Sequence, residues 1–479
     1  MRGGAYGGAF GDAAERHADG VGGGEGLGEG GSHFGEGGGG LGDGGSHFGD
    51  GGAGPGDGGG NAFEGSGPYP LRRVAALAVG FLALVAWGLA AGPAQAASAN
   101  GPCALAATGA RHSEGLSAWN AAYPRPLGEV NAVMFFLSFP DHTPDVTTAT
   151  LAADHFPATT EYFDRASYGR FRLRPRITRR WYRMPRPSTA YGIARAWSPA
   201  ARARYIRDAL ALAGRGGDLR RVPVVYLVAD PDAPGVDSDA TKVVSFDQPL
   251  RAGGTSLKSV VTVFERHPPD PNVLAHETNH VFDLPDLYRQ PPAAPGGGSA
   301  GDAAADSWDA QVGDWDLMGS QFGLAPDLFA WHRWKYGWID RSQVACVDHP
   351  GTRTTRTLTP VETAGGTKLV VVRTSATSAL AVEARAQRGN DVTACREGVL
   401  LYEVRSDVDT GEGPIRVLDG HPRTGACYGA SVRPQLADAP LAAGESYAYR
   451  FGPSAHETVD VRVDARTAAG DWRVTVVEP

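Results

Sequence analysis

The run His276-Glu277-Thr278-Asn279-His280 holds the residues of this chain best suited to metal-assisted hydrolysis. On a helix, residues four apart share a face, so His276 and His280 can aim both imidazoles at one metal ion. Glu277 sits one position on, where its carboxylate can take a proton from a metal-activated water as general base. Imidazole donors favour zinc over magnesium. A catalytic zinc normally takes three protein ligands and keeps one position open, so a third donor is required.

A helix must carry these residues, and the flanking sequence provides one. Asp270 can cap it, Pro271 suits the first helical position, and Asn272 leads into Val273-Leu274-Ala275. Asp283-Leu284-Pro285 ends it, because the residue before a proline avoids the helical region. The predicted helix has about four turns at most, with the histidines in its second half. Upstream, Lys258 to Glu265 reads as a strand rich in β-branched residues.

From His276 onward the chain resembles the metzincin arrangement HExxHxxGxxH/D, with Asp283 in the glycine position and Asp286 in that of the third ligand. Aspartate tolerates a left-handed backbone better than most residues, so the turn remains accessible. Asp283 itself and Asp316 are rival oxygen ligands. The wider stretch HETNHVFDLPDLY, followed by Gly313-Asp314-Trp315-Asp316-Leu317-Met318-Gly319-Ser320, resembles the M6 family of secreted metallopeptidases, the immune inhibitor A type. So do Phe329 to Ile339, Val133 to Asp141 and Glu161 to Gly169, which extends the resemblance over about 130–339, in order. It implies a zincin-like fold, peptide-bond hydrolysis, and a packing role for Met318 below the zinc. Tyr288 could stabilise a tetrahedral intermediate, though a packed aromatic is the simpler reading. His332, among Trp331, Trp334 and Trp338, reads as structural, and His267 as a loop histidine.

Leu71 to Ala96 has the composition of an export signal: Arg72-Arg73, an apolar run from Val74 to Ala91, then Ala94-Gln95-Ala96 as a cleavage site before Ala97. The alternative is an uncleaved membrane anchor over 74–91. Residues 1–70 hold 31 of the 67 glycines, ten acidic residues against two arginines, and a Gly-Ser-His-Phe-Gly repeat at 31–35 and 45–49. Such a stretch has no packable core and is expected to be disordered. Its position ahead of a signal also fits a translation start nearer Leu71. Its charge accounts for the whole net −8, so the rest of the chain balances and shows no basic preference for nucleic acid.

Cys103, Cys346, Cys395 and Cys427 all follow the cleavage point, and an even number in an exported protein implies two disulfides. Of the three possible pairings we expect Cys395–Cys427 and Cys103–Cys346. A Cys103 thiol holding zinc in an inactive precursor is the alternative.

Residues 97–348 are expected to form an α/β (α+β) catalytic domain. Strands at Val130–Phe139 and Val222–Ala229 alternate there with helices at Thr150–Ala166 and Trp197–Ala213. Residues 349–479 carry short runs at Lys368–Arg373, Leu380–Ala384, Val399–Val404, Tyr447–Phe451, Val459–Val463 and Trp472–Val477, the pattern of a β-sandwich. Between Gln290 and Asp309 lies a Pro/Gly/Ala-rich loop suited to a cleft rim. Asp302, Asp306, Asp309 and Asp314 offer calcium donors, but in no recognisable calcium loop.

The expectation is thus a secreted, monomeric zinc endopeptidase acting on proteins or peptides, with membrane contact only through an uncleaved signal. His276, His280 and Asp286 would be ligands and Glu277 the base. The rivals are a binding protein on a degenerate peptidase scaffold and a zinc hydrolase of non-peptide bonds.

Overall fold

The computed structural model describes residues 100–214, 219–270, 272–289, 311–347, 351–452 and 457–478. The glycine-rich stretch, the export signal and its alternative as an anchor, the 290–309 loop, and Asp302, Asp306 and Asp309 all lie outside these residues. Among the described residues, no helix is long and apolar enough to cross a membrane.

The architecture is mixed α/β. Its first sheet contains β1 (Gly128–Ser138), β2 (Phe171–Arg183), β3 (Val224–Ala229), β4 (Lys242–Ala252) and β5 (Thr255–Val263), in the order β2-β1-β3-β5-β4. All pairs are parallel except β4–β5, so β4 is an antiparallel edge strand. Both faces of the sheet are covered, which explains the unbroken apolar runs in β1 and β3. Met134, Phe136, Tyr226 and Val261 pack toward α1 (Thr148–His155), α2 (Ala158–Ala166) and α4 (Val273–Val281). Phe135, Leu137, Leu227 and Val260 pack on the other side with Tyr205, Ile206 and Leu210 of α3 (Pro199–Gly214).

The helical region expected over 150–166 consists of two helices, separated where Phe156 takes an extended conformation before Pro157. Proline disfavours the helical region for the residue ahead of it, which is the physical reason for the break. The helix carrying the two histidines starts later than expected. Its first residue is Val273 and its N-cap is Asn272 in the left-handed region (φ 60°), with no side-chain cap. Asp270 does not cap it and instead accepts a hydrogen bond from Gln321 Nε2 at 3.2 Å.

After α5 (Ala330–Tyr336), two further sheets face each other. One runs β11-β10-β9-β8-β6, from β6 (Val344–Val347), β8 (Leu369–Arg373), β9 (Ser378–Arg385), β10 (Gly398–Arg405) and β11 (Ile415–Leu418). The other runs β12-β13-β14-β7, from β7 (Arg353–Leu358), β12 (Ser446–Phe451), β13 (Glu457–Arg466) and β14 (Trp472–Val477). Val370, Val372, Leu380 and Leu401 meet Val459, Val461 and Val474 between the sheets. The alternate residues Leu369, Val371, Ala381, Leu400 and Tyr402 pack into the core that contains α4 and α5. Strands β8 to β10 are therefore apolar on both faces, and the segments 97–348 and 349–479 share one core.

The cysteines pair as Cys103–Cys346 and Cys395–Cys427. The first ties the segment ahead of β1 to β6 across 243 residues of chain. Two disulfides fit an oxidising compartment.

Candidate metal centre

All nine residues of α4 are buried, and its polar side chains divide between two duties. Thr278 and Asn279, between the cleft-facing Glu277 and His280, anchor the helix. Thr278 Oγ1 bonds to Tyr226 Oη of β3 at 2.9 Å and donates back to the Leu274 carbonyl. Asn279 Oδ1 accepts from Tyr336 Oη of α5 at 2.9 Å. His276, Glu277 and His280 are left facing a cleft of about 970 Å³.

The helix ends as a left-handed C-cap. Asp283 has φ 69°, and the Leu284 N–H reaches back to the Asn279 carbonyl at 3.1 Å. A non-glycine residue in that conformation costs about 1–2 kcal/mol, and Asp283 is held there from three sides. Its N–H donates to the His280 carbonyl, its carbonyl accepts from Lys335 Nζ, and its carboxylate meets His112 Nδ1 at 2.9 Å. Asp283 thus makes at this turn a side-chain contact that a glycine there could not.

Beyond this turn Asp286 swings back onto the histidines. Its Oδ1 lies 3.2 Å from His276 Nε2 and 3.1 Å from His280 Nε2, and the three donor groups lie within 4.8 Å of one another. Both Nδ1 atoms are committed elsewhere, His276 to the Leu317 carbonyl and His280 to the Leu284 carbonyl, each at 2.8 Å. A carbonyl can only accept, so each Nδ1 carries a proton, and each Nε2 is turned toward Asp286, the ring orientation that metal-binding imidazoles take. Burial alone would lower the His280 pKa, but the Asp286 carboxylate outweighs it and holds the group at about 9. Burial would raise Asp286, yet the two imidazoles keep its carboxyl well below the usual range.

Among the three candidate aspartates, only Asp286 meets the imidazoles. Asp283 faces His112, and Asp316 is fully buried, accepting from Met318 N–H at 2.8 Å, Phe329 N–H at 2.7 Å and His332 Nδ1 at 2.9 Å. Asp314 accepts from Ser431 Oγ and from the Leu324 and Val432 amides, so its carboxylate joins loops. Met318 is buried in the turn behind His276, where its carbonyl accepts from Leu287 N–H at 3.0 Å.

Glu277 Oε2 accepts from the Val243 amide of β4 at 2.5 Å. Burial raises the Glu277 pKa, against the lowering effect of the two imidazoles. Thr241, Lys242 and Val243 line the cleft, as do Tyr288 and the half-exposed Phe322. His267 is not part of this wall and pairs with Asp154 at 2.7 Å.

His332 forms a buried ion triad beneath the site, with Nε2 2.9 Å from Glu114 and Nδ1 2.9 Å from Asp316. Burial alone would lower its pKa, but the two carboxylates raise it to about 9. A group raised in the folded state stabilises fully below its unfolded value, about 6.5, and loses that contribution as pH climbs through the folded value. Unfolding free energy is therefore expected to fall between about pH 6.5 and 9. In His332→Gln the fall should be smaller by the share of His332, with the share of His280, which is also held at about 9, remaining when denaturant midpoints are measured across the range.

Nothing local in the sequence links His112 to Asp283, 171 positions later, Glu114 to His332, 218 positions later, or Lys335 to Asp283, 52 positions before it, so these three residues carry no sequence signal of their roles. Comparison with known proteins finds neither a family model nor a curated protein that matches this chain.

Proposed function

We propose that this chain is an exported zinc endopeptidase with a zincin-like catalytic unit of the M6 kind, with His276, His280 and Asp286 as ligands. The observation that carries the reading is the convergence of both Nε2 atoms on Asp286 Oδ1, with both Nδ1 atoms locked to carbonyls. The donor set of two imidazoles and one carboxylate fits zinc and leaves a coordination position open, as a catalytic site requires. Bound there, zinc would supply Lewis-acid polarisation of a carbonyl and acidify water.

The chain's own residues would do the rest. Glu277 accepts the proton of the attacking water and delivers it to the leaving amide nitrogen, so that the carbon–nitrogen bond breaks with a neutral amine departing. Its raised pKa suits a carboxylate that must both take and return a proton. Beside it, the edge strand β4 offers backbone groups to an extended polypeptide, which would add as a further strand across the cleft. That favours peptides over compact non-peptide substrates. An intact base also argues against a purely structural metal site, which usually closes with four protein ligands.

A casein zymogram of the secreted protein should show a clearing band that a chelator abolishes. A band that persists in chelator removes zinc from the mechanism, and no band from zinc-loaded protein removes the peptidase activity.

A further inference from the structure

We propose that the β-rich C-terminal half holds the third metal ligand in place through Thr410, in the turn joining β10 to β11. The inference rests on the zinc reading above and adds a positioning residue from a part of the chain that supplies no ligand.

Asp286 lies beyond the helix end and past Pro285, so no regular element fixes its backbone. Both of its peptide groups are instead tied to one distant turn. The Asp286 N–H donates to Thr410 Oγ1 at 2.8 Å, across 124 residues, and the Asp286 carbonyl accepts from Gly411 N–H at 3.0 Å. Three residues on, Arg289 and Glu412 pair as an antiparallel bridge, extending the same contact. Gly411 has φ 74°, a conformation that side chains disfavour.

The turn is secured from its other side by the segment ahead of β1. Arg111 N–H donates to Asp409 Oδ1 at 2.9 Å, and Thr410 N–H donates to the Arg111 carbonyl at 3.2 Å. Thr108 Oγ1 and Ser113 Oγ both donate to the Ser406 carbonyl at 2.5 Å. His112, in the same segment, holds Asp283. The metal loop is therefore gripped by two chain segments that are remote from it in sequence and joined to each other.

A ligand on an unsupported loop must be ordered when the metal binds, and that cost weakens binding. Groups that fix a ligand's orientation typically contribute 10- to 100-fold in metal affinity. Thr410 can act in this way because its hydroxyl oxygen is the acceptor for the Asp286 amide, and a valine of similar shape lacks that acceptor.

The test compares Thr410→Val and Thr410→Ser with the wild type in the full secreted chain. Zinc affinity is read by competition with a chromophoric chelator, and ligand geometry by the visible spectrum of the cobalt-substituted protein. We expect Thr410→Val to lose about tenfold or more in zinc affinity and to alter the cobalt spectrum. Thr410→Ser should restore both, while the metal-free proteins unfold at the same denaturant midpoint. Wild-type affinity and spectrum in Thr410→Val overturn the inference and leave the zinc reading standing. A lower midpoint in metal-free Thr410→Val that accounts for the lost affinity also overturns it, since Thr410 would then act on the fold alone. Failure of the wild type to take up zinc overturns both.

Discussion

Glu277→Ala will retain its zinc and lose peptide hydrolysis by a factor of about 10²–10⁴, the contribution typical of a positioned general base. The two halves of that expectation rest on different contacts. Metal binding depends on rings held by the Leu317 and Leu284 carbonyls and on Asp286, none of which touches the Glu277 carboxylate through a hydrogen bond. Proton transfer depends on Glu277 itself, which is buried against the Val243 amide and faces the cleft. Glu277→Gln sharpens the test, because its amide oxygen can still accept from Val243 while the side chain no longer takes a proton. Both variants should therefore show wild-type metal content and the same loss of rate. A variant that cleaves within about threefold of wild type would mean that another group is the base, since positioned bases contribute far more than that.

The second large effect concerns stability. Arg385 of β9 is fully buried and pairs with Glu383 at 2.6 Å and Asp391 at 2.5 Å. Its guanidinium also donates to the carbonyls of Trp315 and Asp327, so it joins the sandwich to the turn behind the histidines. Glu383 in turn accepts from the Ala330 N–H at the start of α5 and from Tyr402 Oη, each at 2.7 Å. Arg385→Met leaves two buried carboxylates without their shared cation, which typically costs about 3–5 kcal/mol. Equilibrium denaturation should show a loss of that size. Arg385→Lys should recover little, because a single ammonium cannot reproduce a planar fork reaching several acceptors. A loss under about 1 kcal/mol in Arg385→Met would place this cluster among pairs that contribute little net stability.

The parts of the molecule readable from sequence are those set by local spacing. His276 and His280 share a helix face by their separation, and Asp286 follows within six residues, so one short segment contains all three of the proposed ligands. The strands β1, β3 and β8 stand out because burial on both faces makes them nearly unbroken apolar runs, and β5, β9 and β10 through their short runs of β-branched or aliphatic residues. The edge strands of the first sheet, β2 and β4, do not. In β2, arginines at 172, 174 and 176 alternate with Phe171, Leu173 and Pro175 until Arg179-Arg180 breaks the period, and in β4 most positions are at least partly exposed. Edges tolerate and even favour charge and proline, so they lack the pattern that marks a central strand. Contacts made by His112, Glu114 and Thr410 were illegible for another reason: each acts on a residue more than 100 positions away, and no local periodicity records such a pairing. The helix start was misread because Asn272 takes a left-handed conformation at the N-cap, which aspartate-proline signals do not anticipate.

The central claim, that one zinc ion held by His276, His280 and Asp286 enables Glu277 to drive peptide hydrolysis, is tested most directly by titrating zinc into the metal-free protein. Hydrolysis of a casein substrate should be absent without metal, rise in proportion to added zinc, and level off at one ion per chain. Hydrolysis that is already complete in the metal-free protein, or that stays absent once a zinc ion is bound, would contradict the account.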